Sequence, residues 1–125
     1  MAAPGLMGGH SLPADPQAMA AMPKLHDSHD LWPRFLGLLN IEDKGGRGLR
    51  LSQTSLAVDA ALFGQGVALV SRFLVAAEIE AKRLIQITPQ TLSGEQDFYL
   101  LAARKSRQNS AVAAVVTWFL SRAEK

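Results

Sequence analysis

The run Ser52-Gln53-Thr54-Ser55 stands between a short β-like stretch, Leu49–Leu51, and a helical pattern that begins at Leu56. Hydroxyl and amide side chains at such a junction can cap the helix by accepting from its first free N–H groups. With those N–H groups they can also form a neutral donor cluster suited to a carboxylate or another small anion. Capping is the commoner use. A second cluster, His26-Asp27-Ser28-His29-Asp30, brings imidazole and carboxylate close enough to chelate a divalent ion. It lacks a third histidine nearby and any recognised catalytic spacing, so a polar loop explains it better and no metal is expected. His10 lies in a Gly-rich stretch of uncertain position. His26, at the end of a predicted strand, could donate to an acidic ligand or respond to pH near neutrality. A solvated loop histidine is the plainer reading.

Other charged and glycine-rich segments carry less chemistry. Arg104, Lys105 and Arg107 lack interleaved aromatic residues, which favours solvated surface over nucleic-acid contact. Gly64-Gln65-Gly66 follows a helical pattern instead of opening one, so it reads as a helix stop and not a dinucleotide loop. No Ser–His–Asp order, carboxylate pair or nucleotide loop stands out, which argues against an enzyme.

The elements that would position these residues alternate between strand and helix. Ala14–Met22 forms at most a short helix, with Asp15 as N-cap and Pro16 in its first turn. Lys24–His26 is a short extended piece, and Leu31–Leu39 has helical apolar spacing with Pro33 tolerable in the first turn. Gly45, Gly46 and Gly48 mark a solvated turn. Leu49–Leu51 is a strand. In the helix after it, Leu56, Ala57, Ala60, Ala61 and Phe63 make the apolar face, and Gly64 is the left-handed terminator. Val67–Val70 is a strand covered on both faces. Phe73–Lys82 is a second helix, with Glu78 and Lys82 four apart in the favourable order. Leu84–Ile87 and Phe98–Ala102 are further strands. Asn109 or Ser110 caps a last helix, in which Val112, Val115, Val116 and Phe119 repeat as one buried stripe. This order implies parallel βαβ units and an α/β sheet covered on both faces.

Composition limits what such a sheet can serve. The 125 residues are 48% hydrophobic and 19% charged, which suits a globular core and not a disordered tail. Without cysteine there is no disulfide framework, zinc ribbon or thiol nucleophile. The net charge of +2 is too small to mark a nucleic-acid binder. Ala111–Leu120 is far shorter than the roughly 20 apolar residues that cross a bilayer. Met1–Gly9 lacks a basic region and a continuous apolar core, so no signal peptide is expected and the location expected is cytoplasmic.

Residues 48–75, from Gly48-Leu49-Arg50-Leu51-Ser52 through Gly64-Gln65-Gly66-Val67 to Val75, resemble the distal lobe of the effector-binding domain of LysR-type transcriptional regulators. Lys24-Leu25-His26-Asp27 and Leu31-Trp32-Pro33-Arg34-Phe35-Leu36 are similar to the strand and tryptophan-containing helix of the branch that includes glycine-cleavage activators. Ala3-Pro4-Gly5-Leu6 and Pro13-Ala14-Asp15 resemble the segment crossing into that lobe. Phe98-Tyr99-Leu100-Leu101 and Trp118-Phe119-Leu120 resemble the returning strand and final helix.

The resemblance implies a periplasmic-binding-protein-like lobe of type 2 with an incomplete second lobe. Residues 1–23 would be a crossover segment, 24–90 the distal lobe, and 91–125 the returning strand and C-terminal helix of the proximal lobe. It implies a small polar or anionic effector, no cofactor, and DNA contact only through a helix-turn-helix that this sequence does not contain. It also turns the reading of Ser52 toward the effector cleft, so Ser52, Gln53, Thr54 and His26 are the expected ligand-binding residues. A solute-binding lobe of a transport system is the alternative, with a small hydrolase behind it. Uncovered apolar surface around Phe98–Leu101 and the Val112, Val116 and Phe119 stripe would favour a homodimer or higher oligomer.

Overall fold

Neighbouring residues of a strand point to opposite faces, and residues paired across a ladder point to the same one. Strand β1 (Lys24–His26) applies this rule at the centre of a three-stranded parallel sheet. Strand β2 (Gly48–Arg50) lies on one side of it, with Leu25 opposite Leu49 and His26 opposite Arg50. Strand β3 (Val67–Ala68) lies on the other, with Lys24 opposite Val67 and Leu25 opposite Ala68. The computed structural model describes residues 1–7, 15–43, 48–93, 99–106 and 108–123. It falls into two compact units, Met1–Leu92 and Ser93–Lys125, with the sheet in the first.

Both sheet faces are covered. On one, helices α1 (Pro16–Ala21) and α2 (Trp32–Leu38) place Met19, Trp32, Phe35 and Leu36 in a buried cluster with Ala2, Val67 and Ile87. On the other, helix α3 (Thr54–Leu62) packs Ala57, Ala60 and Ala61 with Leu25, Ala68, Val75 and Leu84. The expected parallel βαβ sheet is therefore present. Asp15 caps α1 by accepting from the Ala18 N–H, and Pro16 stands at its first position. Helix α3 ends as expected at Gly64, whose φ is +72°. Gly64 N–H bonds Ala61 O and Gln65 N–H bonds Ala60 O, the paired pattern of a left-handed helix stop.

Several expectations need correction. Phe63 is 83% exposed and Leu56 is 44% exposed. The buried stripe of α3 runs along 57, 60 and 61, while 56 and 63, seven apart, share a different line of the helix. Val67–Val70 is a strand only over Val67–Ala68. Gly48 is the first residue of β2 and not part of a turn; residues 44–47, with Gly45 and Gly46, lie outside the described residues, as does His10. The single helix expected over Phe73–Lys82 is a 3-10 segment, Arg72–Val75, followed by helix α4 (Ala76–Glu80). Lys82 leaves the helix with φ +57°, and Glu78 pairs instead with Arg83 at 2.5 Å. Leu84–Ile87 is not a strand. Only Ile85 pairs, antiparallel to Ala2, although Leu84 and Ile87 are fully buried. An apolar run marks burial, and a ladder also needs a partner strand along its length.

The second unit contains a 3-10 turn, Arg104–Ser106, and helix α5 (Ser110–Ala123). Asn109 caps α5, its side-chain oxygen accepting from the Ala111 N–H at 2.9 Å. The strand expected over Phe98–Ala102 is irregular at residues 99–102, and Phe98 lies outside the described residues. No residue of α5 is buried: of the expected stripe, Val112 and Val116 are half-buried and Val115 and Phe119 are exposed. Among its described residues the unit has no strand or second α-helix to cover a stripe. Trp118 packs edge-on against Phe119 at 5.0 Å, with the Arg122 guanidinium 5.3 Å from its ring centre.

Candidate functional site

Parallel strands bring their carboxyl ends to one edge of a sheet, and the helices that follow start there. At this edge β1 ends in His26, β2 ends in Arg50, and α3 begins at Thr54. The Leu51 N–H bonds His26 O at 2.9 Å, which continues the ladder to the lip of the site.

Ser52 and Gln53 are exposed at this lip and Thr54 is half-buried. Gln53 is the residue before α3, in extended conformation, and no side chain caps the helix. Capping, the commoner use of such a run, is therefore not what Ser52 or Thr54 does here. The Thr54 hydroxyl instead donates to Asp27 Oδ2 at 2.7 Å, and the Ser55 hydroxyl is 3.4 Å from Gln53 Oε1. First-turn N–H groups without a cap remain available to a ligand.

The loop after β1 is built on Asp27. Its Oδ1 accepts from the N–H groups of His29 at 3.0 Å and Asp30 at 3.3 Å, a local turn typical of aspartate. With Thr54 on its other oxygen, Asp27 ties the end of β1 to the start of α3. Asp30 then takes a left-handed backbone, φ +44°, which aspartate tolerates better than most residues.

His26 is not the solvated loop histidine of the plainer reading. Only 9% of it is exposed, and its Nδ1 lies 2.9 Å from Asp30 Oδ1. Arg50 approaches the other Asp30 oxygen at 3.7 Å. The His26 hydrogen bond, with the Arg50 charge behind it, holds the Asp30 carboxyl below its ordinary value of 3.8. A carboxyl lowered by folding contributes stability above its unfolded pKa and loses it as pH falls through the folded one. His26→Leu should therefore raise the Asp30 titration midpoint toward 3.8, read from the side-chain carboxyl shift by NMR. An unmoved midpoint would show that the imidazole is not the cause.

Three of the four expected residues, Ser52, Gln53 and Thr54, thus share the helix tip, and His26 sits at the end of the adjoining strand. Sequence reasoning missed Asp27, Asp30 and Arg50 as partners of these groups. The available signal was the βαβ order, which makes β1 and β2 neighbours and so places Asp27 near Thr54. Among the described residues no group of three potential metal ligands gathers. Arg104 and Lys105 are exposed on the second unit, and Arg107 lies outside the described residues. Away from the strand ends, a groove of about 530 Å³ is lined by Ala3, Pro4, Asp59, Leu62, Phe63 and Arg83.

The LysR substrate binding domain, as a family, matches residues 10–124. The chain belongs to the LysR substrate-binding family. Over 124 residues this LysR-family chain is 31% identical to the glycine cleavage system transcriptional activator of Escherichia coli. That match covers 96% of the chain and 40% of the relative. The glycine cleavage system transcriptional activator homolog of Haemophilus influenzae is 28% identical over 93 residues, 74% of the chain and 31% of the relative. The chain thus spans about 40% of the length of the curated Escherichia coli relative it matches. No solved structure gives a significant match. These relatives are transcriptional regulators and the family is a binding domain, so the LysR-family chain is not an enzyme. Among its described residues no helix is long and apolar enough to cross a membrane.

Proposed function

We propose that the chain is the effector-sensing part of a LysR-type transcriptional regulator, holding a small polar or anionic metabolite at the strand-end lip. Ser52, Gln53, Thr54 and His26 are its contacts in this reading. The observation that supports it best is the uncapped start of α3, with Ser52 and Gln53 exposed beside the carboxyl ends of two parallel strands. A ligand there meets hydroxyl, amide and backbone donors without displacing packed side chains. The complete regulator would contain a second lobe, of which residues 91–125 supply the returning segment and last helix. It would reach DNA through a separate helix-turn-helix and work in the cytoplasm without a cofactor. Effector binding would act by favouring one arrangement of the two lobes over another, through its differential affinity for the two.

Replacing Ser52 and Thr54 together with alanine in the complete regulator should weaken the effector response tenfold or more. A hydrogen bond to a charged group contributes about 1.5–3 kcal/mol. Calorimetry against small carboxylates and amino acids measures the affinity, and Ser52→Ala alone separates ligand contact from the Thr54–Asp27 tie. Unchanged affinity in both variants, with the fold intact, removes Ser52 and Thr54 from the site. Exposed apolar side chains at Tyr99, Leu101, Trp118 and Leu120 support self-association as part of the same reading. Sedimentation at micromolar concentration should show a dimer or larger species, and a clean monomer would contradict it.

A further inference from the structure

The ladder sets His26 opposite Arg50, so both side chains leave the sheet on the same face. His26 is buried and fixes one oxygen of Asp30 at 2.9 Å. Arg50 is different: its side chain is 74% exposed and stands 3.7 Å from the other Asp30 oxygen, beyond a good hydrogen bond. Exposed pairs this loose contribute little to stability and exchange readily with other ions. The Asp30 carboxylate is itself half-open to solvent, and the His26 hydrogen bond and the Arg50 charge favour its charged form. Two residues beyond Arg50 come Ser52 and then the uncapped tip of α3. An exposed guanidinium, an exposed hydroxyl and an uncapped helix start thus share one end of the sheet, where the anion now beside the guanidinium belongs to the protein.

We infer that Arg50 is the residue that recognises the charge of a carboxylate ligand, and that Asp30 is the internal carboxylate such a ligand displaces. This rests on the strand-end lip being the binding site. A guanidinium presents a planar fork that fits a carboxylate through two parallel hydrogen bonds. Its present single contact uses little of that capacity. Asp30 sets the threshold: it keeps Arg50 near the lip and competes with weak anions, so a ligand must bring further contacts to Ser52 and the helix tip.

The test is an NMR titration of the isotope-labelled 125-residue chain with acetate, propionate and succinate, following the Arg50 Nε–H and the amides of residues 52–54. Arg50→Gln should weaken carboxylate binding tenfold or more. Asp30→Asn keeps the shape, removes the competing charge, and should tighten binding about threefold. Matched thermal unfolding and amide spectra establish that each variant is folded. Loss of binding in Ser52→Ala but not in Arg50→Gln would overturn the arginine assignment and leave the lip as the site. Weaker binding in Asp30→Asn would overturn the displacement and make Asp30 a ligand contact. No carboxylate-dependent shift at residues 50–54 in the unsubstituted chain would overturn the underlying site and the inference with it.

Discussion

Trp32→Ala should cost roughly 3–5 kcal/mol, the range for emptying a buried tryptophan site, and leave the sheet without its first-face support. The indole is 2% exposed and packs edge-on against Phe35, with ring centres 6.0 Å apart. It does more than fill space. Its Nε1–H donates to Leu25 O, at 2.9 Å, on the central strand, so helix α2 and strand β1 are joined by a directed bond as well as by area. Trp32→Phe keeps much of the packing and loses that bond, and should fall between alanine and the native chain. Urea unfolding followed by far-UV circular dichroism measures both changes. A loss below about 1 kcal/mol for the alanine variant would mean that the indole site collapses without penalty.

Gly66→Ala should also be severe, and by the opposite mechanism. A Cβ at Gly66 would stand 2.5 Å from Pro23 O and 3.1 Å from the Leu25 side chain. Pro23 O is the acceptor for the Val67 N–H at 2.8 Å, the bond that opens the β1–β3 pairing. Backbone cannot step aside as a flexible side chain does. The methyl group therefore pushes the two strands apart, at a cost of about 1–3 kcal/mol for overpacking and more if the ladder bond breaks. Gly37, in α2, is the control: a Cβ there meets nothing within 4 Å. Gly37→Ala should leave stability unchanged or slightly raised, since alanine favours helix over glycine by about 1 kcal/mol. Equal unfolding midpoints for the two alanine variants would contradict the close approach at Gly66.

What was legible in the sequence follows from which forces are local. Lys24–His26 could be bounded from Pro23 and the polar cluster after it, and Gly64 marked the end of α3 because glycine adopts a left-handed backbone without strain. Asp15 and Pro16 signalled the start of α1 for equally local reasons. The misreadings arose where distant residues decide the outcome. Leu84–Ile87 has the apolar run of a strand and is deeply buried at both ends, yet only Ile85 finds a backbone partner. Phe63 belongs to no core because α3 turns the 57, 60 and 61 line inward, a choice made by the small side chains that fit the sheet.

The candidate site divides in the same way. Ser52, Gln53 and Thr54 were found from their position between a strand and a helix, which is local information. That Thr54 would bond Asp27, 27 residues earlier, depended on β1 and β2 becoming neighbours. The pairing of His26 depended on the backbone at Asp30, left-handed at φ +44°, where a carboxylate four residues on meets the ring's Nδ1. Reading the five-residue cluster as a polar loop was sound for its backbone and incomplete for its side chains.

The crystal structure of the complete regulator with its effector bound is the most direct measurement. The effector is expected at the carboxyl ends of β1 and β2, within hydrogen-bond distance of Ser52 or Gln53 and beside His26. An effector seated instead in the groove lined by Ala3, Asp59, Phe63 and Arg83, with the α3 tip facing only water, would contradict the assignment.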